Sequence, residues 1–189
     1  MSPFLIALFF IFAAEMGDKT QLVAMAFATR YKPSIVLAGV TVATLVVHLL
    51  SVFLGEAAGW LLPVWVISAA SGLAFIIFGI WTLRGDSLDD EETKSKNNFG
   101  PFLTVAITFF LAELGDKTML ATVTIASQQR DFIPVWLGST VGMVLADGLA
   151  IIVGQVLGKK LPEKTIQYCS AAIFIITGIF TLVQPYIKL

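Results

Sequence analysis

The pattern Glu-x-Gly-Asp-Lys-Thr occurs twice, as Glu15-Met16-Gly17-Asp18-Lys19-Thr20 and as Glu113-Leu114-Gly115-Asp116-Lys117-Thr118, with the copies 98 positions apart. Each copy sets three charged residues in the middle of a long apolar run. A charge at bilayer depth costs at least about 2.5 kcal/mol, so an intramembrane ionisable residue points to function. The same costly element written twice points to two halves of one cation site. The surrounding chain fits that reading: of 189 residues 57% are hydrophobic and 13% charged, with a mean hydropathy of +0.88. Soluble domains carry roughly 25% charged residues. The expectation is an all-α integral membrane protein with almost no soluble part. A net charge of -1 without a basic patch gives no sign of nucleic-acid binding. One cysteine, Cys169, excludes an intrachain disulfide and a Cys-based metal centre.

Six apolar segments follow one another. The first runs from about Pro3 to Thr29; it lacks a basic leader and continues past the motif, so it reads as a span and not a signal peptide. Arg30-Tyr31-Lys32-Pro33 makes a turn. The second segment covers about Ser34 to Leu61, with His48 at mid-span and Glu56 near the end, and the third covers about Val64 to Leu83. Residues 84–98 form the only sizeable hydrophilic stretch and read as a flexible acidic linker. The fourth segment runs from about Phe99 to Ser127, the fifth from about Phe132 to Gly158 with Asp147 at mid-span, and the sixth from about Thr165 to Tyr186. Six transmembrane helices are expected.

The halves align beyond the motif. At an offset of 99, Gly39 matches Gly138, Thr41 matches Thr140, Gly55 matches Gly154 and Gly59 matches Gly158. Pro63 matches Pro162, Phe75 matches Phe174, Gly79 matches Gly178 and Leu83 matches Leu182. The chain therefore divides into a first three-helix repeat, 1–83, a linker, 84–98, and a second repeat, 99–189. Three is odd, so the second unit enters the membrane from the opposite side. This is the inverted-topology repeat of many secondary transporters, whose sites lie near the midplane between the repeats. Arg30, Lys32, Arg84, Lys94, Lys96, Lys159, Lys160 and Lys164 share one face, against Arg130 and Lys188 on the other. The positive-inside rule puts the first face in the cytoplasm and both termini outside. Gly39, Ala43, Gly138 and Gly142, four residues apart in pairs, read as helix-packing positions.

On a continuous helix Glu15 and Asp18 would share a face, as would Glu113 and Asp116. If the two motif helices cross at their centres, four carboxylates converge. A divalent cation removes their mutual repulsion, and an all-oxygen set suits Ca²⁺, Mn²⁺ or Mg²⁺. Lys19 and Lys117 lie four residues after Glu15 and Glu113, so the bland reading is a pair of buried salt bridges that fix packing. Such pairing leaves one acid over in each motif, a total of -2, which one M²⁺ or two protons neutralise. That balance suits obligate exchange. Gly17 and Gly115 read equally as packing points or as breaks that unwind the helix. Thr20 and Thr118 read as hydroxyl ligands or, more simply, as hydroxyls bonded back to their own helix. Met16 and its mate Leu114 sit off the carboxylate face. His48 and Asp147 occupy equivalent positions at mid-span and suggest a proton-handling pair; Asp147 also reads as a further ligand, and His48 as a buried packing residue. Gln21 has no counterpart in Met119 and stays unassigned.

The repeated motif on the first and fourth of six segments closely resembles that of one family: the cation/proton exchangers that include the MneA-type bacterial manganese exporters and Golgi and chloroplast relatives. The resemblance covers the whole chain, and both motif copies are intact. It implies export of Mn²⁺, and in some members transport of Ca²⁺, against protons, with the motif acids lining the path. The residues alone give a divalent-cation exchanger; Mn²⁺ and the outward direction come from the resemblance. A Ca²⁺/H⁺ exchanger with the same site is the near alternative. A small amino-acid exporter is a different class and would hold a cationic substrate between the same acids. An intramembrane metalloenzyme lacks a nucleophile or cofactor motif, and the inverted repeat favours alternating access over a channel. No cofactor is expected beyond the transported cation. The partners expected are the lipid bilayer, the divalent cation and protons, with a homo-oligomer left open. The compact length and absence of a targeting extension favour a bacterial inner membrane.

Overall fold

The computed structural model describes residues 1–84, 100–157 and 163–183. Most of the acidic linker, the turn at 158–162 and the C-terminal residues 184–189 lie outside the described residues. What is described is helical throughout: α1 (Pro3–Glu15), α2 (Lys19–Ala28), α3 (Pro33–Leu61), α4 (Val64–Arg84), α5 (Pro101–Glu113), α6 (Lys117–Gln129), α7 (Phe132–Leu157) and α8 (Glu163–Val183). The starts follow local chemistry. Proline opens α1, α3 and α5, where its missing N–H costs nothing. Ser2 adds a cap, its hydroxyl accepting from the Leu5 N–H at 3.4 Å.

Among the described residues, three stretches, Pro33–Leu61, Trp65–Leu83 and Phe132–Val153, are long and apolar enough to cross a membrane. The first and fourth expected segments are each two shorter helices placed end to end, not one rod. The break falls inside the motif. Gly17 and Gly115 have φ of 79° and 86°, a left-handed conformation that costs roughly 1–2 kcal/mol for an ordinary residue and nothing for glycine. Of the two readings of these glycines, unwinding is the one found.

Each motif-bearing half-helix leans on the long helix of the other repeat: α1 packs along α7 and α5 along α3, while α4 packs along α8. Glycines permit the close approach. A Cβ at Gly138 or Gly142 would collide with the backbone oxygen of Phe4 or Leu8 on α1, and one at Gly39 would collide with Val105 on α5. These are packing positions, as their spacing suggested. Equivalent residues of the two repeats also meet. The buried rings of Phe75 and Phe174 lie 5.9 Å apart, and the Thr44 hydroxyl donates to Met143 Sδ at 3.3 Å. A residue can touch its own repeat mate only near the axis that relates them, so these pairs mark an approximate two-fold axis.

The distribution of side chains is the reverse of a soluble domain. Phe53, Ile77, Ile152 and Ile176 are well exposed, whereas Glu15, His48, Glu113, Thr122 and Asp147 are fully buried. Ordinary soluble surfaces leave buried acids rare and paired; an apolar exterior around a polar centre fits lipid as the solvent.

Candidate functional site: two elbows between the repeats

Each break forms an elbow. Glu15 is the last residue of α1, and Asp18 stands at the N-cap of α2. Glu113 ends α5, and Asp116 stands at the N-cap of α6. The N–H of Asp18 donates to the Glu15 carbonyl at 3.0 Å, and that of Asp116 to the Glu113 carbonyl at 3.2 Å, closing each elbow. The helix ends divide the labour. Asp18 accepts from the Thr20 N–H at 3.4 Å and satisfies an exposed N-terminal donor. Glu15 and Glu113 lie instead at helix C-termini, where the dipole disfavours a negative side chain by about 0.3–1 kcal/mol. Both elbows therefore favour a cation or a proton beside the glutamate.

The break changes what the motif residues do. Glu15 and Asp18 do not share the face of one helix, and neither do Glu113 and Asp116. The threonines do not bond back to their own helix. The Thr20 hydroxyl donates to Glu15 Oε1 and lies 3.1 Å from Asp18 Oδ2; the Thr118 hydroxyl donates to Glu113 Oε2 at 2.6 Å. Each threonine thus reaches back across its elbow and orients the glutamate. Lys117 does not pair with Glu113, because unwinding destroys the four-residue spacing. Its Nζ pairs with Asp18 Oδ1, joining the second motif to the first, with both side chains almost fully buried. The side chain of Lys19 lies outside the described residues, and with it the Glu15–Lys19 pairing.

The acids gather from the two elbows and from α7. Glu15 is near enough to Asp147, Glu113 and Asp18 to feel their charges. Glu113 feels Asp116, Asp18 and Asp147, and Asp147 feels Asp18. Asp18 is thus common to the surroundings of Glu15, Glu113 and Asp147. Glu15 Oε2, Glu113 Oε1 and both oxygens of Asp147 are buried with no hydrogen-bond partner among the described residues. Buried polar atoms are normally satisfied, and those left over call for a ligand, ion or proton. No three Asp, Glu, His or Cys side chains among the described residues stand close enough to hold a metal ion together in this conformation.

His48, the repeat mate of Asp147, is equally buried, and neither ring nitrogen has a partner among the described residues. Glu56 is half-buried, Met16 half-buried and Leu114 exposed.

Gln21 is the residue that motif reading left without a role. Its Oε1 accepts from the Gly17 N–H at 2.8 Å, and its Nε2 donates to the carbonyl of Ala146, next to Asp147, at 3.0 Å. Met119, in the corresponding place, accepts from the Gly115 N–H through Sδ at 3.1 Å. The two look unrelated as letters and do the same job for the elbow glycine. The signal was available in the spacing: each lies four residues after its glycine.

A family profile described as "Divalent cation/proton antiporter GDT1" matches residues 3–90 and again residues 101–188. A protein of Vibrio cholerae serotype O1, named as a candidate manganese exporter, is 35% identical over 183 residues, which is 96% of this chain and 90% of that protein. GDT1-like protein 5 of Arabidopsis thaliana is 29% identical over 215 residues, covering 92% of each chain. The chloroplastic GDT1-like protein 1 of Oryza sativa subsp. japonica is 30% identical over 210 residues, covering 94% of this chain and 61% of that protein. No solved structure matches the chain.

Proposed function

The chain belongs to the GDT1 family of divalent cation/proton antiporters, and on that premise we propose that it exports Mn²⁺ from the cytoplasm in exchange for protons through the acids of the two elbows. The observation that carries this reading is the buried cluster of Glu15, Asp18, Glu113 and Asp147, drawn from both repeats, in which Glu15, Glu113 and Asp147 keep oxygens without a hydrogen-bond partner among the described residues. The acids cannot all hold their charges out of water unless something compensates them. Cargo and protons can both compensate the acids that Lys117 leaves over, so release of one calls for uptake of the other. Glu15, Asp18, Glu113 and Asp116 are the proposed cation ligands, with Asp147 as a proton carrier that joins them. Thr20 and Thr118 orient the glutamates. Lys19 is assigned by sequence to the same supporting set as Lys117. His48 meets no acid in hydrogen-bonding range among the described residues, which favours a packing role for it. In this conformation the acids are not yet closed on one point, so cargo binding requires the elbows to move together.

The choice of Mn²⁺ over Ca²⁺ rests on the name of the Vibrio cholerae relative; the oxygens themselves serve either ion. Six spans in two inverted repeats, with both termini outside a bacterial inner membrane, complete the proposal. Trp60, Trp65 and Arg130 support a membrane–water boundary at the α3–α4 and α6–α7 turns. The two tryptophans are exposed near the α3–α4 turn, and Arg130 stacks on Trp60 at 5.7 Å, as expected at a membrane–water boundary.

The test is a flux assay in proteoliposomes with an internal pH dye. An imposed Mn²⁺ gradient should drive protons the other way, and Mn²⁺ should outcompete Ca²⁺. Ca²⁺ outcompeting Mn²⁺ would make this a Ca²⁺/H⁺ exchanger; cation movement without protons would end the exchange reading. For orientation, Lys32→Cys should label only from the cytoplasmic side and Arg130→Cys only from outside.

A further inference from the structure

We propose that the Lys117 ammonium is a tethered cation that occupies the exchange site between cargo ions, and that the entering divalent cation displaces it from Asp18 instead of binding beside it. The proposal rests on the reading of the elbows as a cation site and assigns a role that the charge motif alone does not reveal.

Three observations carry it. The first is position. Lys117 comes from the second elbow but pairs with Asp18 of the first, and the pair is shielded from solvent at both ends. Asp18 is the acid that Glu15, Glu113 and Asp147 all feel, so the ammonium is held on the acid common to their surroundings. The second is local disfavour. Lys117 is the first residue of α6, the positive end of the helix dipole, where acids are preferred and an ammonium is not. Helix formation gives no reason for a lysine there; the acid cluster does. The third is the state of the acids. No three of them close on a common point while the ammonium is in place, and Glu15, Glu113 and Asp147 retain buried oxygens without partners. Among the described side chains, the ammonium of Lys117 pairs with Asp18 and leaves those oxygens unsatisfied.

Lysine suits this part. Its ammonium is a compact point charge on a flexible four-carbon stem, able to leave without moving the backbone. A dication and an ammonium in contact with the same carboxylate repel each other, so the two are alternatives at Asp18. The pair also joins the elbows of the two repeats. Cargo that breaks it releases one repeat from the other, and departure of cargo restores it and compensates the emptied acids.

The test is Mn²⁺ binding to the purified full-length protein in detergent, read from the loss of the electron paramagnetic resonance signal of free Mn²⁺. Lys117→Met removes the competing charge and keeps the stem. It should bind Mn²⁺ at least tenfold more tightly than wild type, while Lys117→Arg should bind no more tightly than wild type. A merely structural lysine predicts the reverse, with weaker binding in Lys117→Met. Should Lys117→Met fail to fold, the wild type decides: reductive methylation followed by mass spectrometry should show Lys117 labelled at least threefold faster with saturating Mn²⁺. Unchanged or slower labelling would overturn the proposal. Failure of the underlying site is distinguishable. If wild type binds Mn²⁺ and Asp18→Asn abolishes binding, yet Lys117→Met gains nothing, only the tethered-cation proposal falls. If wild type binds no Mn²⁺, the site reading falls and takes this proposal with it.

Discussion

The first elbow, Met16-Gly17-Asp18, and the second, Leu114-Gly115-Asp116, share a backbone and differ in what surrounds them. Both turn on a left-handed glycine, and both hold a glutamate through a threonine hydroxyl. The first is pinned to a neighbour: the Gln21 amide holds the Gly17 N–H with one end and the Ala146 carbonyl of α7 with the other. The second has Met119, whose thioether accepts from Gly115 and has no donor with which to reach another helix. Gly115 and Leu114 are also exposed, where Gly17 and Met16 are half-buried. The same contrast recurs on the long helices, with Asp147 inside the acid cluster on α7 and His48 outside it on α3. A duplicated unit has kept the chemistry that two copies must share and has divided the rest. One elbow glycine is tied through Gln21 to α7 beside the extra acid, and the other has no such tie through Met119.

Four comparisons test that division, from the largest effect to the smallest. Asp147→Asn should lower Mn²⁺-driven proton flux at least about 100-fold if the acid carries the exchanged proton, beyond the usual 10²-fold lower range for a positioned acid or base. His48→Gln should keep most of the flux, and equal losses at both positions would restore the symmetry that the structure lacks. Thr20→Val and Thr118→Val should each cost about 1.5–3 kcal/mol at the glutamate they serve, the range for a hydrogen bond to a charged group, seen as roughly tenfold or greater loss of transport. The two values should agree, because the threonine contact is a shared part. Gly115→Ala should lose roughly tenfold, from the 1–2 kcal/mol cost of left-handed backbone alone, since a Cβ there meets nothing within 4 Å. Gly115→Asn should recover part of that loss, because asparagine tolerates this conformation. Gln21→Met keeps the acceptor for Gly17 and removes the link to α7. It should raise the KM for Mn²⁺ several-fold, in line with about 0.5–1.5 kcal/mol for one neutral hydrogen bond. Met119→Gln, which adds a donor to the elbow that lacks this tie, should change KM by less than about twofold. If Met119→Gln proves the more damaging exchange, the tie to a neighbouring helix has been assigned to the wrong elbow.

Much of this was legible in the residues. Hydropathy and charge gave an all-helical membrane chain, and the paired motifs gave the family and its chemistry. Small residues at fours marked the crossings of α1 with α7 and α5 with α3. The break inside each motif was not decided by sequence, because glycine in an apolar run serves close packing and left-handed turns equally well. From that one ambiguity the other differences follow. A rod keeps Lys117 over Glu113; an elbow swings it to Asp18. A rod leaves Thr118 near its own carbonyls; an elbow turns it to Glu113. Gln21 stayed without a role for another reason. Its equivalence to Met119 lies in one accepting atom, a feature that comparison of residue types does not register.

The central claim is that the two elbows make one exchange site. The most direct test is Mn²⁺-driven proton flux in proteoliposomes for Asp18→Asn, Asp116→Asn and the double variant, with folding checked for each. One shared site predicts that either single substitution abolishes flux and that the double variant is no worse than either alone. Two singles that each retain about half of the flux, with losses that add in the double variant, would mean two separate sites and would contradict the account.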